Sequence, residues 1–368
     1  MKLFEPMNIN SMELKNRIIM PAMQLRLGIC NPRAQRYYLT RAQGGVGAII
    51  MCATSVDLLC HDRAWGRPDA VARFVMKMQE FTQQVRQSGV RIGIQLWHGN
   101  QLPAGSGADN PEAEQVGPSA MDDRRAMTTT EIESVIHQFG QAAATAKRAA
   151  FDFVEVHGAH GYLACQFFSG ADNHRNDQYG GDLPRRMRFG LEVVAAMRAA
   201  VGPSFPIIYR LGADEKRPGG ITLRQSKSFA IELEKAGVDA FDVSIGKPVG
   251  RSAAPGKRAK TGTYVPQAEA IKSVVSVPVM AVGRINTLDL AQSIVQDGRA
   301  DFVGVGRQLI ADPQWPNKIK AGRHDDIIAC TSCNTCFTPL RNSKWRPGMR
   351  ICKVNPRAGR EIDPVVEN

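Results

Sequence analysis

The segment VEVHGAHGYL carries His157, His160 and Tyr162 at the end of one apolar run. Two imidazole N–H groups at this spacing can hold a carbonyl or nitro oxygen and stabilise negative charge growing on it. A phenol hydroxyl beside them can deliver a proton. That combination suits hydride addition to an activated alkene. A His-x-x-His pair is also a metal-ligand pattern, but two imidazoles without a nearby carboxylate make a poor site.

Other residues point the same way. Gln95 lies near the end of the apolar run in IGIQLWH, beside Trp97 and His98, and Arg210 lies near the end of the run in PIIYRLG. A guanidinium that deep is costly unless something electron-rich accepts it. Two acceptors are open: the N1–O2 edge of a reduced flavin, or an internal salt bridge, for instance to Asp242. VGRINT (282–287) and VGVGRQLIADP (303–313) each put glycine at the end of an apolar run, then arginine, then a helical pattern. Glycine lets backbone N–H groups approach a phosphate, and a helix start favours the anion. The plain alternative is two ordinary turns, but the repeated Gly-Arg favours phosphate.

Eight cysteines are present. Cys30, Cys52, Cys60 and Cys165 are scattered and read as small buried apolar residues. Cys330, Cys333, Cys336 and Cys352 cluster near the end, as metal ligands do. The x2–x2 spacing of the first three suits a [4Fe–4S] cubane. Four thiolates also enclose zinc, and an empty site is the third alternative.

These side chains need a scaffold. Apolar runs rich in Val, Ile and Phe recur at 18–22, 46–53, 91–96, 151–156, 206–211, 240–244, 277–282 and 301–305. Runs of this kind read as strands covered on both faces. Helical patterns lie between them at 67–89, 128–150, 184–201, 223–236, 266–275 and 287–297. The second opens with a Thr128…Glu131 capping box. The alternation predicts eight βα units closed into a (β/α)8 TIM barrel, which binds ligands at the C-terminal ends of its strands. Long loops at 97–127 and 246–264 follow two of these strands and are expected to shape the pocket. The barrel is expected over residues 1–322, with a cysteine-bearing extension over 323–368.

Bulk composition narrows the function. The chain has 368 residues and a net charge of +12, from 47 basic against 35 acidic residues. The basic residues are spread over helices, with enrichment at 251–260 and 341–360, and no aromatic-interleaved basic motif accompanies them. The charge therefore reads as a solvated surface with two basic loops suited to an anionic substrate or an acidic redox partner, rather than as nucleic-acid binding. No segment is long and apolar enough for a bilayer, and no apolar run follows the first charges, so a cytoplasmic location is expected.

The ordered motifs ELKNRIIMPAM, RAQGGVGAIIMCATSVD, IGIQLWH, VEVHGAHGYL, NHRNDQYGG, RLGADE, AGVDAFDVS and DFVGVGRQLIADP resemble the old yellow enzyme family of flavin oxidoreductases along almost the whole chain. The resemblance implies an FMN-binding barrel fed by NAD(P)H. It implies flavin contacts from Ala22, Met23, Ala53, Gln95 and Arg210, a phosphate grip from Gly283, Arg284, Gly306 and Arg307, and substrate oxygen on His157 and His160 with Tyr162 as proton donor. The cysteine run resembles the iron–sulfur segment of the dienoyl-CoA reductase and trimethylamine dehydrogenase branch, although that branch has three residues before its third cysteine. Other departures are MPAM before Met23, Gln24 in place of the usual Thr or Cys, Gln101 in place of an arginine, and Arg185 in place of an asparagine.

The expected function is an FMN-dependent ene reductase acting on an α,β-unsaturated carbonyl compound. The alternatives are an amine dehydrogenase or oxidative N-demethylase, with Trp65, Trp97 and Trp345 as a cation cage, and a flavin/iron–sulfur subunit working with a separate redox protein. A homo-oligomer is compatible with each.

Overall fold

The structure is a computed structural model that describes residues 1–24, 28–66, 68–102, 114–246, 254–337 and 351–363. Eight parallel strands close into a barrel in chain order. They are β1 (Ile18–Met20), β2 (Ala48–Ser55), β3 (Arg91–Trp97), β4 (Phe153–Gly158), β5 (Ile207–Gly212), β6 (Ala240–Ser244), β7 (Val279–Ala281) and β8 (Phe302–Gly304). All eight apolar runs form strands, all but one starting or ending one or two residues from the sequence estimate.

Side chains alternate across each strand, so every second residue points into the barrel. The lowest inward layer is apolar and draws on Ile19, Ala48, Ile50, Phe153, Ile208, Ala240, Met280 and Phe302. Gly93 belongs here because a Cβ would sit 2.3 Å from the Phe153 ring. A short antiparallel hairpin, Met7–Ile9 with Met12–Leu14, plugs the bottom with Ile9, Met12 and Leu14. Two residues further along the strands the interior turns polar, with Gln95, Glu155, Arg210 and Asp242. One step above lie His157 and Ser244, at the mouth.

Seven longer helices lie outside, α1 (Pro32–Gln43), α2 (Ala70–Arg86), α3 (Thr129–Arg148), α4 (Leu183–Val201), α5 (Leu223–Lys235), α6 (Val265–Lys272) and α7 (Leu288–Gln296). After β8 come two short ones, Arg307–Ala311 and Trp315–Lys320. The capping box of α3 forms as expected: Thr128 Oγ1 accepts from the Glu131 N–H at 3.2 Å, and the Glu131 carboxylate accepts from the Thr128 N–H at 2.8 Å. Past Lys320, the only helix among the described residues is a single turn at Thr335–Phe337. Among the described residues, no helix is long and apolar enough to cross a membrane.

Segment 351–363 returns to the barrel. Ile351 and Ala358 join the outer core. Asn355 Nδ2 donates to the Ile310 carbonyl at 3.0 Å. Arg41 of α1 is fully buried, pairs with Glu361 at 2.6 Å, and lies 3.4 Å over the Tyr37 ring.

Candidate active site at the barrel mouth

A cavity of about 420 Å³ opens at the C-terminal ends of the strands. His157, His160 and Tyr162 all line it, as do Ala22, Met23, Ala53, Gln95, Arg210, Gly283, Arg284, Gly306 and Arg307. The structure thus brings together every expected catalytic and flavin residue, from strands far apart in sequence. Gln24 also lines it, whereas Gln101 and Arg185 do not. Trp345 and the side chain of Trp65 lie outside the described residues, as do parts of both basic loops and of the long loops after β3 and β6.

The His–Tyr cluster is built on a left-handed turn. His160 (φ 62°) and Gly161 (φ 80°) reverse the chain after β4 and fold Tyr162 back towards His157. The His157 ring meets His160 edge-on at 5.0 Å and Tyr162 at 4.7 Å. Trp97 packs edge-on against Tyr162 at 4.6 Å. Two contacts pin the turn: His160 Nε2 lies 2.9 Å from Ser244 Oγ, and Gln166 Nε2 donates to the Gly161 carbonyl at 2.8 Å. Burial holds both imidazoles neutral, with pKa values well below the usual histidine range; Arg210 adds to this, and for His157 so does His160. Burial raises the Tyr162 pKa against the opposing pull of Arg210, so the phenol stays protonated. His157 Nδ1 is buried with no hydrogen-bond partner among the described residues.

Beneath them lies the polar layer. Arg210 Nε is 3.2 Å from Asp242 Oδ2, and its Nη1 donates to the Ala22 carbonyl at 3.3 Å. The two acceptors left open by the sequence are therefore not exclusive: Arg210 pairs with Asp242 and also faces the cavity. Gln95 Nε2 donates to Glu155 Oε1 at 2.7 Å. Burial, reinforced by Asp242 and opposed by Arg210, pushes the Glu155 carboxyl up to about 8.

The two Gly-Arg turns sit side by side. Gly283 has φ 109°, and a Cβ there would meet the Tyr264 ring at 2.8 Å. Arg284 Nη1 is held by the Lys257 carbonyl at 2.9 Å. Arg307 is tied to Asn334 Oδ1.

Arg307 also lines a second, much smaller cavity together with Cys330, Cys333, Cys336 and Cys352. Cys330 and Arg307 line both cavities. The four cysteines are thus neighbours, and all are free thiols. Among the described residues, no three His, Cys, Asp or Glu side chains are arranged to hold a metal ion.

Sequence reasoning missed Ser244, Tyr264, Asn286 and Gln308, which also line the mouth. Ser244 had a readable signal, since it closes the apolar run AFDVS.

Residues 2–326 match the sequence model of the NADH:flavin oxidoreductase / NADH oxidase family. The chain belongs to this family. It is 40% identical to the NADH oxidase of Thermoanaerobacter brockii, over 98% of this chain and 56% of that protein. Among solved structures, 2-naphthoyl-CoA reductase superposes with a TM-score of 0.87 at 28% identity, over 99% of this chain and 58% of that one. Histamine dehydrogenase from Rhizobium sp. 4-9 gives 0.83 at 28% identity, over 98% and 53%. The chain spans little more than half the length of each of these three relatives.

Proposed function

We propose that the chain is an FMN-dependent ene reductase that moves hydride from NAD(P)H to an α,β-unsaturated carbonyl compound. The observation that carries the reading is the single cavity that collects two neutral imidazoles, a protonated phenol, a buried guanidinium and two Gly-Arg turns. FMN, when bound, supplies the hydride. Gly283, Arg284, Gly306 and Arg307 would hold its phosphate, Arg210 would offset negative charge on the reduced ring, and Ala22, Met23, Ala53 and Gln95 would complete the contact.

The residues of the chain do the rest. His157 and His160 donate N–H groups to the substrate oxygen and stabilise the negative charge that develops there. An imidazole that stays neutral keeps one N–H to donate and one bare nitrogen. The Ser244 hydroxyl occupies Nε2 of His160 and leaves Nδ1 for the substrate. Tyr162 holds its proton until the α-carbon takes it.

Cys330, Cys333, Cys336 and Cys352 share one small cavity, and the x2–x2 spacing of the first three suits a cluster. A [4Fe–4S] cluster is the reading adopted, with zinc as the alternative. It suits electron exchange with a separate redox protein and a cytoplasmic setting. The barrel is assigned to residues 1–322 and the cysteine extension to 323–368. Similarity to histamine dehydrogenase keeps amine oxidation in view as the second reading. Against it, Arg210 puts positive charge where a cationic amine would have to sit.

An anaerobic absorption spectrum before and after dithionite tests the assignment. Flavin bands over a broad brown shoulder that bleaches are expected, together with NAD(P)H-dependent loss of an enone chromophore. Flavin bands alone would reduce the cysteine site to zinc or to no metal. Absence of flavin, and of flavin uptake on adding FMN, would overturn the reading.

A further inference from the structure

The polar layer under the mouth does not balance. Glu155 on β4 and Asp242 on β6 flank β5, and both are 0% exposed. Register places Arg210 opposite Asp242, and Gln95 opposite Glu155. Two carboxylates therefore share one guanidinium inside a closed barrel. Glu155 Oε2 and both oxygens of Asp242 have no hydrogen-bond donor among the described residues. Arg210 lies 3.2 Å from Asp242, but without hydrogen-bond geometry.

A buried anion without a partner costs several kcal/mol, and such groups neutralise instead. Like charges that share a dry site keep one proton between them. Here one proton supplies both missing elements: it cancels the surplus charge and provides an O–H donor between the carboxyls. The groups facing the layer do not supply that proton. Gln95 is neutral and already donates to Glu155. His157 and His160 above are held neutral by burial. Tyr162 and Tyr264 are held in the protonated form, again by burial.

We propose that Glu155 and Asp242 share one proton beneath the flavin site, and that this proton, acting through Arg210, adds to the pH dependence of the flavin's reduction potential. The second half rests on the FMN reading above; the first half does not. With the proton in place the Glu155–Asp242–Arg210 set is neutral. Without it the set carries one negative charge below the position where reduction adds more. Reduction therefore draws the proton back into the pair. One proton is taken up for each two-electron reduction, beyond those the flavin itself takes. The pair touches neither substrate nor reacting atoms, so both are positioning residues.

The proton is lost as pH rises through the region around 8. Within it, each pH unit changes the two-electron equilibrium up to tenfold, an added slope of about 30 mV per unit. The test is potentiometry of the flavin-loaded protein on both sides of that region. Wild type is expected to show the steeper segment, and Glu155→Gln, which stays neutral and can still donate to Asp242, is expected to lose it. A wild type without the segment, or a Glu155→Gln variant that keeps it, overturns the proposal. Asp242→Asn serves if Glu155→Gln does not fold, with the same expectation. Infrared spectroscopy of the protein as purified reads the proton independently of flavin. A deuterium-sensitive carbonyl band of a protonated carboxyl is expected near neutral pH and lost in either variant. If the band is present but no flavin binds, the shared proton stands and the FMN reading fails; if the band is absent, the proposal fails even with flavin bound.

Discussion

Replacing Glu361 with alanine should loosen the segment that carries Cys352. The Arg41 side chain is fully buried, and its one carboxylate partner among the described residues is Glu361 at 2.6 Å. Removing one member of a buried ion pair strands the other, at a cost of about 3–5 kcal/mol. Arg41 keeps the Leu309 and Tyr37 carbonyls at 3.0 and 2.8 Å, which favours the lower end. At about 1.4 kcal/mol per factor of ten, local opening of the segment should increase about a hundredfold or somewhat more. The closed form of the segment stays the populated one because Arg33–Asp363 at 2.7 Å and the Asn355–Ile310 bond still hold it. Hydrogen exchange resolved by segment is the assay. Amides of 351–363 should exchange faster by that factor, amides of β3 and β4 should not change, and flavin should remain bound. Unchanged protection of 351–363 would show that the pair does not hold the segment, and the reasoning from burial would be wrong.

Other predictions follow from single contacts. Tyr162→Phe should slow reoxidation of the flavin by an enone by about 10²–10⁴-fold while sparing its reduction by NAD(P)H. Stopped-flow traces of the two half-reactions decide, and equal loss in both refutes the proton-donor role. Gly158→Ala puts a Cβ 2.2 Å from the buried Tyr209 ring and should cost about 1–3 kcal/mol or more. An unchanged urea midpoint would mean that the ring moves aside freely. Because the folded protein raises the Glu155 pKa from 4.5 to about 8, its contribution to stability is complete below about pH 4.5 and is lost as pH climbs through about 8. Glu155→Gln should therefore gain stability relative to wild type over that climb. Parallel denaturation curves at all pH values would contradict it.

The barrel was legible because strands covered on both faces leave uninterrupted apolar runs. The site was legible because its residues sit at the ends of those runs. Helix α1 was not, although Asn31 and Pro32 mark its start and the Asn31 side chain accepts from Arg33 N at 2.9 Å. Its inward face includes Arg41, and a charge in the apolar stripe breaks the period. The bottom hairpin escaped because three-residue strands show too little alternation to register. Glu155 was overlooked for a different reason. A lone acid in VEV looks like noise until the barrel sets it across β5 from Asp242, 87 positions later in the chain. Asp242 itself was anticipated only as a partner for Arg210.

Cys330 and Arg307 face both cavities, so chemical injury on one side is felt on the other. In protein without its cluster, a thiol oxidised to sulfinic acid gains a negative charge that cellular thiols do not reverse. At Cys330 that charge would arise on a wall of the mouth where Arg284 and Arg307 keep the field positive. Peroxide damage to the cysteine cavity should then appear first as shed cofactor, with the barrel still folded around an emptied mouth.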